Sequence, residues 1–220
     1  MTDWNQRSFR GTWNRYPFTD VVSFVLGRYG SAPDRSKVSV LDLGCGGGSH
    51  LMFLAAEGFD FHGVDGNAES VERANERLHR AGHAADRAVV ADFLRLPYDA
   101  GRFDVVIDRG ALTCNRGAEL PALIAEISRV MKSGAVLFSM ILHESSAAAA
   151  GGRDVGGNDY VDFPGDLSGA GLLHFTNAEE AQRLFSAFTI DSIERQTTMA
   201  DFPGRDRSVL AAWTVVVATK

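Results

Sequence analysis

The sequence contains few of the features that mark secreted, membrane-spanning or metal-binding proteins. Its two cysteines, Cys45 and Cys114, are too few for a disulfide framework or a four-ligand metal site. No unbroken apolar run approaches the roughly 18 residues that a membrane-spanning helix needs. The polar first residues also lack the apolar core of a secretory signal. We therefore expect a cytoplasmic protein with no metal site and no contact with a membrane.

The sequence also lacks an excess of basic residues. The chain carries 28 acidic and 22 basic residues, a formal net charge of −6, whereas nucleic-acid binding usually requires a basic face. Its 45% apolar and 23% charged residues are close to the averages for soluble domains, and 220 residues suit one domain. We expect a single domain over residues 1–220 that acts on a small molecule, without a nucleic-acid partner, either alone or as a homodimer.

Short apolar runs rich in β-formers alternate with longer segments of helical periodicity. The runs predict strands at Ser39–Leu43, Phe61–Asp65, Ala88–Asp92, Phe103–Asp108, Ala135–Leu142, Thr189–Thr198 and Val209–Thr219. The periodic segments predict helices at Leu51–Gly58, Asn67–Ala81, Leu120–Met131 and Asn177–Phe188. This alternation is typical of a doubly wound α/β sheet, and the last two strands, with no helix between them, predict an antiparallel hairpin at one edge.

Two segments stand outside this alternation. Residues 1–37 are interpreted as an N-terminal arm followed by a helix at Thr19–Tyr29. Residues 144–175 are interpreted as an insertion, of which Glu144–Gly171 is rich in Ala, Ser and Gly and almost free of periodicity. Loops this long inside a compact domain are usually lids or disordered. We therefore expect a glycine-rich lid here.

The stretch VLDLGCGGGSH, residues Val40–His50, places glycines where the first predicted strand should pass into a helix. Glycine allows a sharp turn there and lets a ligand approach the main chain, because no Cβ atom intervenes. Gly44, Gly46 and Gly48 are spaced G-x-G-x-G, whereas the dinucleotide fingerprint requires G-x-G-x-x-G. With Asp42 two residues before the first glycine, the stretch resembles the D/E-x-G-x-G-x-G motif of class I S-adenosylmethionine (SAM)-dependent methyltransferases.

The resemblance implies the Rossmann-like methyltransferase sheet, with strand order 3-2-1-4-5-7-6 and strand 7 antiparallel, and SAM as the cofactor. It also implies a site along the carboxyl edge of the sheet. There Asp65 would accept hydrogen bonds from the two ribose hydroxyls. Asp92 and Phe93 would contact the adenine, and Asp108 would lie beside the methionine portion.

The N-terminal segment adds to this resemblance. Its pattern, W-x-x-R-x-F followed by G and W, is similar to an arm that several small-molecule methyltransferases fold over the cofactor. The similarity assigns Arg7 and Trp13 to the site. The cofactor-binding residues implied in total are Arg7, Trp13, Asp42, Gly44, Cys45, Gly46, Gly48, Asp65, Gly66, Asp92, Phe93 and Asp108.

The chemistry of methyl transfer suggests what else to look for. Transfer from a sulfonium is an in-line displacement, so alignment of acceptor and methyl at about 3–3.5 Å supplies much of the catalysis. A hydroxyl acceptor often needs a base in addition. His143, at the end of the fifth strand beside Glu144, and His174, after the glycine-rich segment, are the candidate catalytic bases. The alternative for each is an ordinary polar residue at a strand or loop end.

A further similarity concerns the substrate. The run D-R-G-A-L that begins at Asp108 is similar to a segment of thiopurine methyltransferase-like enzymes, which implies that Arg109 holds an anionic substrate group. A structural arginine paired with a local acid is the alternative. We therefore expect methyl transfer to oxygen or nitrogen of a small molecule. A sulfur acceptor, or a catalytically silent SAM-binding domain, remains a competing hypothesis.

Overall fold

The computed structural model describes residues 14–83, 86–200 and 208–220. Arg7 and Trp13, which the resemblance assigns to the cofactor site, lie outside the described residues. The strands are β1 Ser39–Leu43, β2 Asp60–Asp65, β3 Ala88–Val90, β4 Phe103–Arg109, β5 Met131–Leu142, β6 Arg153–Asp154, β7 Asp159–Val161, β8 Leu173–His174, β9 Thr189–Ala200 and β10 Ser208–Thr219. The α-helices are α1 Thr19–Tyr29, α2 Ser49–Ala56, α3 Ala68–Arg80, α4 Leu120–Val130, α5 Ala147–Gly151 and α6 Ala178–Leu184.

Seven strands form one sheet in the order β3-β2-β1-β4-β5-β10-β9. The pairs among β1 to β5 are parallel, whereas β10 runs antiparallel to both β5 and β9. This confirms the predicted doubly wound sheet, its strand order and its antiparallel last strand. Because the parallel strands point the same way, their carboxyl ends share one edge, which is where ligands of such sheets bind.

Helices cover both faces of the sheet because its central strands are apolar on both sides. Consecutive residues of β1 show this: Val40 packs with α1, α2 and α3, whereas Leu41 packs with α4 and α6. The helical stripes predicted from sequence are buried accordingly, for example Val71 and Leu78 on α3. Asn67 caps α3, since its Oδ1 accepts a hydrogen bond from the amide of Ser70 at 3.0 Å.

The insertion after β5 is more regular than its composition suggests. The segment predicted as a lid contains α5 and the three-stranded antiparallel sheet β6-β7-β8, which its lack of periodicity did not indicate. Phe163 and Phe175 are buried there in a separate apolar cluster that also contains Cys114. The insertion leaves and rejoins the fold at one point, since the amide of Thr176 donates to the carbonyl of Leu142 at 2.7 Å.

The last helix is shorter than predicted. The pattern predicts Asn177–Phe188, but α6 ends at Leu184, and Phe185 already leaves the helical region with φ −97° and ψ 18°. Phe185 and Phe188 are buried in the core beneath the sheet, with their rings 6.3 Å apart. Phe185 and Phe188 therefore belong to the turn before β9, although their spacing resembles that of a helical stripe.

Candidate cofactor site

The chain leaves β1 through a loop of glycines in left-handed backbone. The φ angles are +73° at Gly44, +50° at Gly46 and +77° at Gly48, a region that favours glycine. Neighbouring atoms add a second constraint at two of these positions. A Cβ atom on Gly44 would lie 2.4 Å from the Cβ of Ala111, and one on Gly48 would lie 2.9 Å from the Cβ of Ala74. The glycine loop, Gly44–Gly48, is therefore held between the segment after β4 and helix α3.

Cys45 fills space beneath the glycine loop. It is buried, and a Cβ atom on Gly63 of β2 would lie 2.9 Å from its Sγ. Burial raises the pKa of the Cys45 thiol well above its ordinary value, and the nearby carboxylates of Asp42 and Asp65 raise it further. A protonated, buried thiol is a poor nucleophile, so Cys45 acts as a small packing residue.

Asp65, the last residue of β2, connects its strand to the glycine loop. Its Oδ2 accepts a hydrogen bond from the amide of Gly46 at 2.9 Å, and its Oδ1 accepts one from the amide of Asn67 at 2.8 Å. Gly66 lies within this turn, half-buried. Burial raises the pKa of the Asp65 carboxyl, although the two amides act in the opposite direction. Each carboxylate oxygen has a second acceptor site, so the group can still receive hydroxyl donors.

A buried carboxylate–imidazole pair lies beside the same loop. Asp42 Oδ1 accepts a hydrogen bond from Nδ1 of His50, on the first turn of α2, at 3.1 Å. The ring of Phe18 lies 5.8 Å from the imidazole. Within the described part of the chain, Asp42 Oδ2 and His50 Nε2 are buried without a hydrogen-bond partner. A buried acceptor without a hydrogen-bond partner destabilises the fold unless a ligand donates a hydrogen bond to it.

The end of β3 brings Asp92 and Phe93 to the same edge. Strand β3 ends at Val90, two residues before the predicted end, and Asp92 begins a turn in which its Oδ1 accepts from the amide of Leu94 at 2.9 Å. Asp92 is exposed, whereas Phe93 is buried, and a Cβ atom on Gly44 would lie 3.8 Å from its Cζ. The carboxylate is thus accessible to a ligand at the edge, and the ring supports the loop from below.

Asp108, near the end of β4, is fully enclosed. Its Oδ1 accepts from the amides of Ala111 and Leu112 at 2.8 and 3.0 Å, and its Oδ2 accepts from the Ser139 hydroxyl at 2.6 Å. Burial raises the pKa of the Asp108 carboxyl to about 6. The structure therefore gives Asp108 an internal role in shaping the turn after β4, because both of its carboxylate oxygens already accept hydrogen bonds from the protein.

Arg109 lies between two aromatic rings. Its guanidinium carbon is 3.8 Å from the centroid of the Phe18 ring and 4.6 Å from that of Trp213. One guanidinium nitrogen, Nη2, lies 3.4 Å from Oδ2 of Asp20 on α1. These contacts agree with the structural alternative, an arginine paired with a local acid, more closely than with a free anion-binding group.

His143 directly follows β5, as predicted, but its ring hydrogen-bonds within its own turn. Its Nδ1 accepts a hydrogen bond from the amide of Ser145 at 3.0 Å, with the Ser145 hydroxyl at 2.9 Å. An amide can only donate, so the neutral ring carries its proton on Nε2 and presents a donor there. Glu144 does not orient the ring, because its Oε2 accepts from the Asn177 side chain at 2.9 Å. Burial lowers the pKa of His143.

His174 is completely buried in the insertion. Its Nδ1 lies 2.8 Å from Oδ1 of Asp159, and its Nε2 lies 3.4 Å from Oε2 of Glu180 on α6. Asp159 also accepts from the amide of Gly117 at 3.0 Å, which ties the insertion to the segment after β4. Of the two candidate bases, His143 is therefore held in a turn, and His174 is enclosed between two carboxylates.

Part of the chain is similar in sequence to methyltransferases. A family profile described as a methyltransferase domain matches residues 40–134, which contain the glycine loop and the ends of β1 to β4. An uncharacterized methyltransferase of Synechocystis is 33% identical over 107 residues, 49% of this chain and 48% of that protein. A Bacillus subtilis protein provisionally named a 23S rRNA (guanine-N1) methyltransferase is 30% identical over 105 residues, 47% of this chain and 33% of that protein. The chain thus spans half the length, or less, of these curated relatives.

Solved structures extend the likeness over most of the chain. A SAM-dependent methyltransferase of Methanosarcina mazei superposes with a TM-score of 0.66 at 20% identity, over 83% of this chain and 92% of that one. A 1,6-didemethyltoxoflavin N1-methyltransferase of Burkholderia thailandensis, solved with its acceptor and S-adenosylhomocysteine, gives 0.61 at 18% identity over 92% and 76%. The chain has the class I methyltransferase fold.

Within this methyltransferase fold, two residues near the site were not predicted from sequence. His50 pairs with Asp42, and only the register of the first turn of α2 could have indicated this. Trp213 lies in β10, far along the chain, where it pairs with Leu142 at the end of β5 and contacts Arg109. In the described ranges, no helix is long and apolar enough to cross a membrane, and no group of three or more potential ligands could hold a metal ion.

Proposed function

We propose that the protein transfers a methyl group from SAM to a nitrogen or oxygen atom of a small molecule. The observation that carries the proposal is the left-handed glycine loop at the end of β1, hydrogen-bonded through the Gly46 amide to the carboxylate of Asp65 on β2. Close approach of a ligand to this loop needs glycine. The match of residues 40–134 to a methyltransferase domain supports the same conclusion.

The donors and acceptors at this edge match those of SAM. SAM carries an ammonium group, two ribose hydroxyls and an adenine amino group, all of which donate hydrogen bonds. The edge offers acceptors: the carboxylates of Asp65 and Asp92, and the unpartnered buried Oδ2 of Asp42. Asp65 would hold the ribose, Asp92 the adenine amine, and Asp42 with the glycine loop the methionine end. When bound, SAM supplies the electrophilic methyl group.

The protein residues would then contribute alignment and enclosure. The glycine loop and Asp65 fix one side of the site, and Phe93 supports the loop from beneath. The insertion 144–175 begins and ends at the carboxyl end of β5, where it would shape the acceptor pocket and exclude water. Holding acceptor and methyl in line is worth several orders of magnitude in rate without any proton transfer.

The described geometry favours nitrogen over oxygen as the acceptor atom. A hydroxyl acceptor often needs a base, but the Nδ1 lone pair of His143 accepts from the Ser145 amide, and His174 is enclosed between two carboxylates. A neutral amine or ring nitrogen already presents a lone pair. The structural neighbour that methylates a ring nitrogen of a small molecule is consistent with this choice.

The proposal is tested by incubating the protein with SAM and matched panels of small amines, phenols, thiols and fragments of 23S rRNA, with methylated product measured by mass spectrometry. We expect product and S-adenosylhomocysteine in equal amounts from a small nitrogen acceptor. His143→Ala should retain turnover within about tenfold, whereas loss of a general base typically costs about 10²–10⁴-fold.

Each other outcome overturns a definite part of the proposal. Product from phenols, together with a large loss in His143→Ala, would restore an oxygen acceptor with His143 as the base. Product from thiols would indicate the sulfur acceptor, and product from the rRNA fragments alone would exclude a small-molecule acceptor. Binding of SAM with no product from any panel would favour the catalytically silent domain.

A further inference from the structure

Arg77, on helix α3, donates to main-chain carbonyls of two segments that are distant in sequence. Its Nη1 donates to the carbonyl of Gly47 at 2.5 Å, inside the glycine loop. Its Nη2 donates to the carbonyl of Arg15 at 2.8 Å, and Nη1 lies 3.4 Å from that of Asn14. A single guanidinium therefore joins residues 14–15, which lead into α1, to the loop after β1.

Helix α3 also supports the loop by direct packing. Ala74 lies so close to Gly48 that a Cβ atom there would be 2.9 Å from the Cβ of Ala74. Residues three apart on a helix share a face, so Ala74 and Arg77 act on the loop from the same side. Packing fixes Gly48, and the hydrogen bond fixes the carbonyl of Gly47 one residue earlier.

The surroundings of Arg77 disfavour its positive charge, so its hydrogen bonds are what hold it in this position. Burial lowers the pKa of Arg77, and the neighbouring Arg73 and Arg15 lower it further. Like charges of this kind oppose its placement, while the guanidinium stays charged at any ordinary pH. Hydrogen bonds from a charged donor are stronger than neutral ones. The planar fork can serve two carbonyls at once, which the single ammonium of a lysine cannot do in the same geometry.

We propose that Arg77 is a positioning residue that couples residues 14–15, which lead into α1, to the glycine loop and so sets the affinity for the methyl donor. The identity of that donor rests on the proposed function; the coupling itself does not. With Arg77 in place, the Gly47 carbonyl and residues 14–15 are held in one arrangement before any ligand arrives. Preorganisation of this kind raises affinity, because these segments lose little conformational entropy when the ligand binds.

The test uses the full chain and three variants. Arg77→Ala removes the fork, and Arg77→Lys keeps the charge and one donor group. Arg80→Ala is the matched control, since Arg80 lies on the same helix, is exposed, and pairs with Glu76 one turn away. Hydrogen–deuterium exchange without ligand reports residues 14–18 and 44–50, calorimetry reports the Kd for SAM, and steady-state kinetics separates kcat from KM.

For Arg77→Ala we expect faster exchange in both segments and a Kd for SAM raised by about tenfold or more. We expect kcat to change less than about threefold, because Arg77 touches neither reacting atom. Arg77→Lys should fall between the alanine variant and wild type, and Arg80→Ala should match wild type. If Arg77→Ala does not fold, the same comparison between Arg77→Lys and wild type decides the matter.

Three results would overturn the inference. Exchange and Kd could both stay at wild-type values in Arg77→Ala. Residues 14–18 could loosen while residues 44–50 and the Kd stay unchanged, in which case Arg77 holds only the start of α1. Arg80→Ala could reproduce the effect, which would make it one of net charge. If wild type does not bind SAM at all, the proposed function fails, and exchange in the two segments alone then decides the coupling.

Discussion

The guanidinium carbon of Arg109 lies 3.8 Å from the ring centroid of Phe18 and 4.6 Å from that of Trp213. Phe18 immediately precedes α1, and Trp213 belongs to β10, so the arginine joins the first helix to the antiparallel edge of the sheet. Its ion pair with Asp20 reinforces this connection. Arg109 is therefore placed as a docking residue between elements at opposite ends of the chain.

This placement predicts a loss of stability when Arg109 is removed. Arg109→Ala should lower the free energy of unfolding by about 2–4 kcal/mol, because it leaves Asp20 without its partner and empties the space between two rings. Urea denaturation measures the loss, and Asp20→Ala in a double-mutant cycle isolates the pair. Unchanged stability together with a raised KM for an anionic acceptor would instead support the substrate-binding role predicted from the D-R-G-A-L segment.

A second prediction separates the two constraints on glycine at Gly48. Gly58 is the matched control, since its φ of +79° nearly equals the +77° of Gly48 but no atom lies within 4 Å of a Cβ atom built on it. Gly58→Ala should lower the free energy of unfolding by about 1–2 kcal/mol, which is the cost of left-handed backbone alone. Gly48→Ala should lower the free energy of unfolding by clearly more, because it also displaces α3 at Ala74. It should also weaken SAM binding. Equal costs for the two variants would show that the contact with Ala74 carries no weight.

Asp108 gives a prediction about pH. Burial raises the pKa of its carboxyl to about 6, above the ordinary value of 3.8. A raised pKa in an acid means that folding favours the neutral form, so this residue's contribution to stability is lost as pH rises from about 4 to above 6. Asp108→Asn, whose amide oxygen can still accept from Ala111 and Leu112, should therefore match or exceed wild-type stability at pH 7.5. The difference should shrink at pH 4.5.

Chemical denaturation at the two pH values checks this, with Asp108→Ala as the control that removes both acceptors. We expect the alanine variant to lose about 2–4 kcal/mol at either pH, since two amides would remain buried without partners. The asparagine variant should also keep the wild-type affinity for SAM, since the side chain is enclosed. A large loss of SAM affinity in that variant would return Asp108 to the cofactor-binding group.

His174 predicts a pH dependence of the same sign at higher pH. Burial lowers the pKa of this imidazole, but Glu180 and Asp159 outweigh burial and raise it overall above 6.5. A raised histidine pKa adds stability that is complete below the unfolded value of about 6.5 and is lost as pH rises through the folded value. His174→Gln should therefore be less stable than wild type by a margin that narrows from pH 6 to pH 9. A margin independent of pH would mean that His174 is neutral in the folded protein.

The sheet could be predicted from the sequence because its information is local. Each strand is a short apolar run, Ser39–Leu43 among them, and the order of the strands followed from a motif that one family shares. The insertion could not be predicted in the same way. Its strands β6 and β8 have two residues each and are held by tertiary contacts, such as the Asp159–His174 pair, that leave no periodic pattern.

The candidate site shows the same contrast between local sequence information and tertiary contacts. Residues tied to the main chain of the motif, such as Gly44 and Asp65, occupy the predicted edge because their spacing fixes their backbone. The roles of side chains that act across the fold were harder to predict. Whether Arg109 is free or paired depends on Asp20, Phe18 and Trp213, and no local signal connects residues so far apart in sequence.

The central claim, that the glycine loop and Asp65 form a SAM site, is tested most directly by calorimetric titration of SAM into wild type and Asp65→Ala. Asp34→Asn serves as control, because Asp34 also accepts a main-chain amide but precedes β1, at the opposite end of the strands. We expect wild type and the control to bind SAM alike and Asp65→Ala to bind about 1.5–3 kcal/mol more weakly, with its fold intact by circular dichroism. Equal SAM affinity in all three proteins, or tighter binding of NAD than of SAM by wild type, would contradict the account.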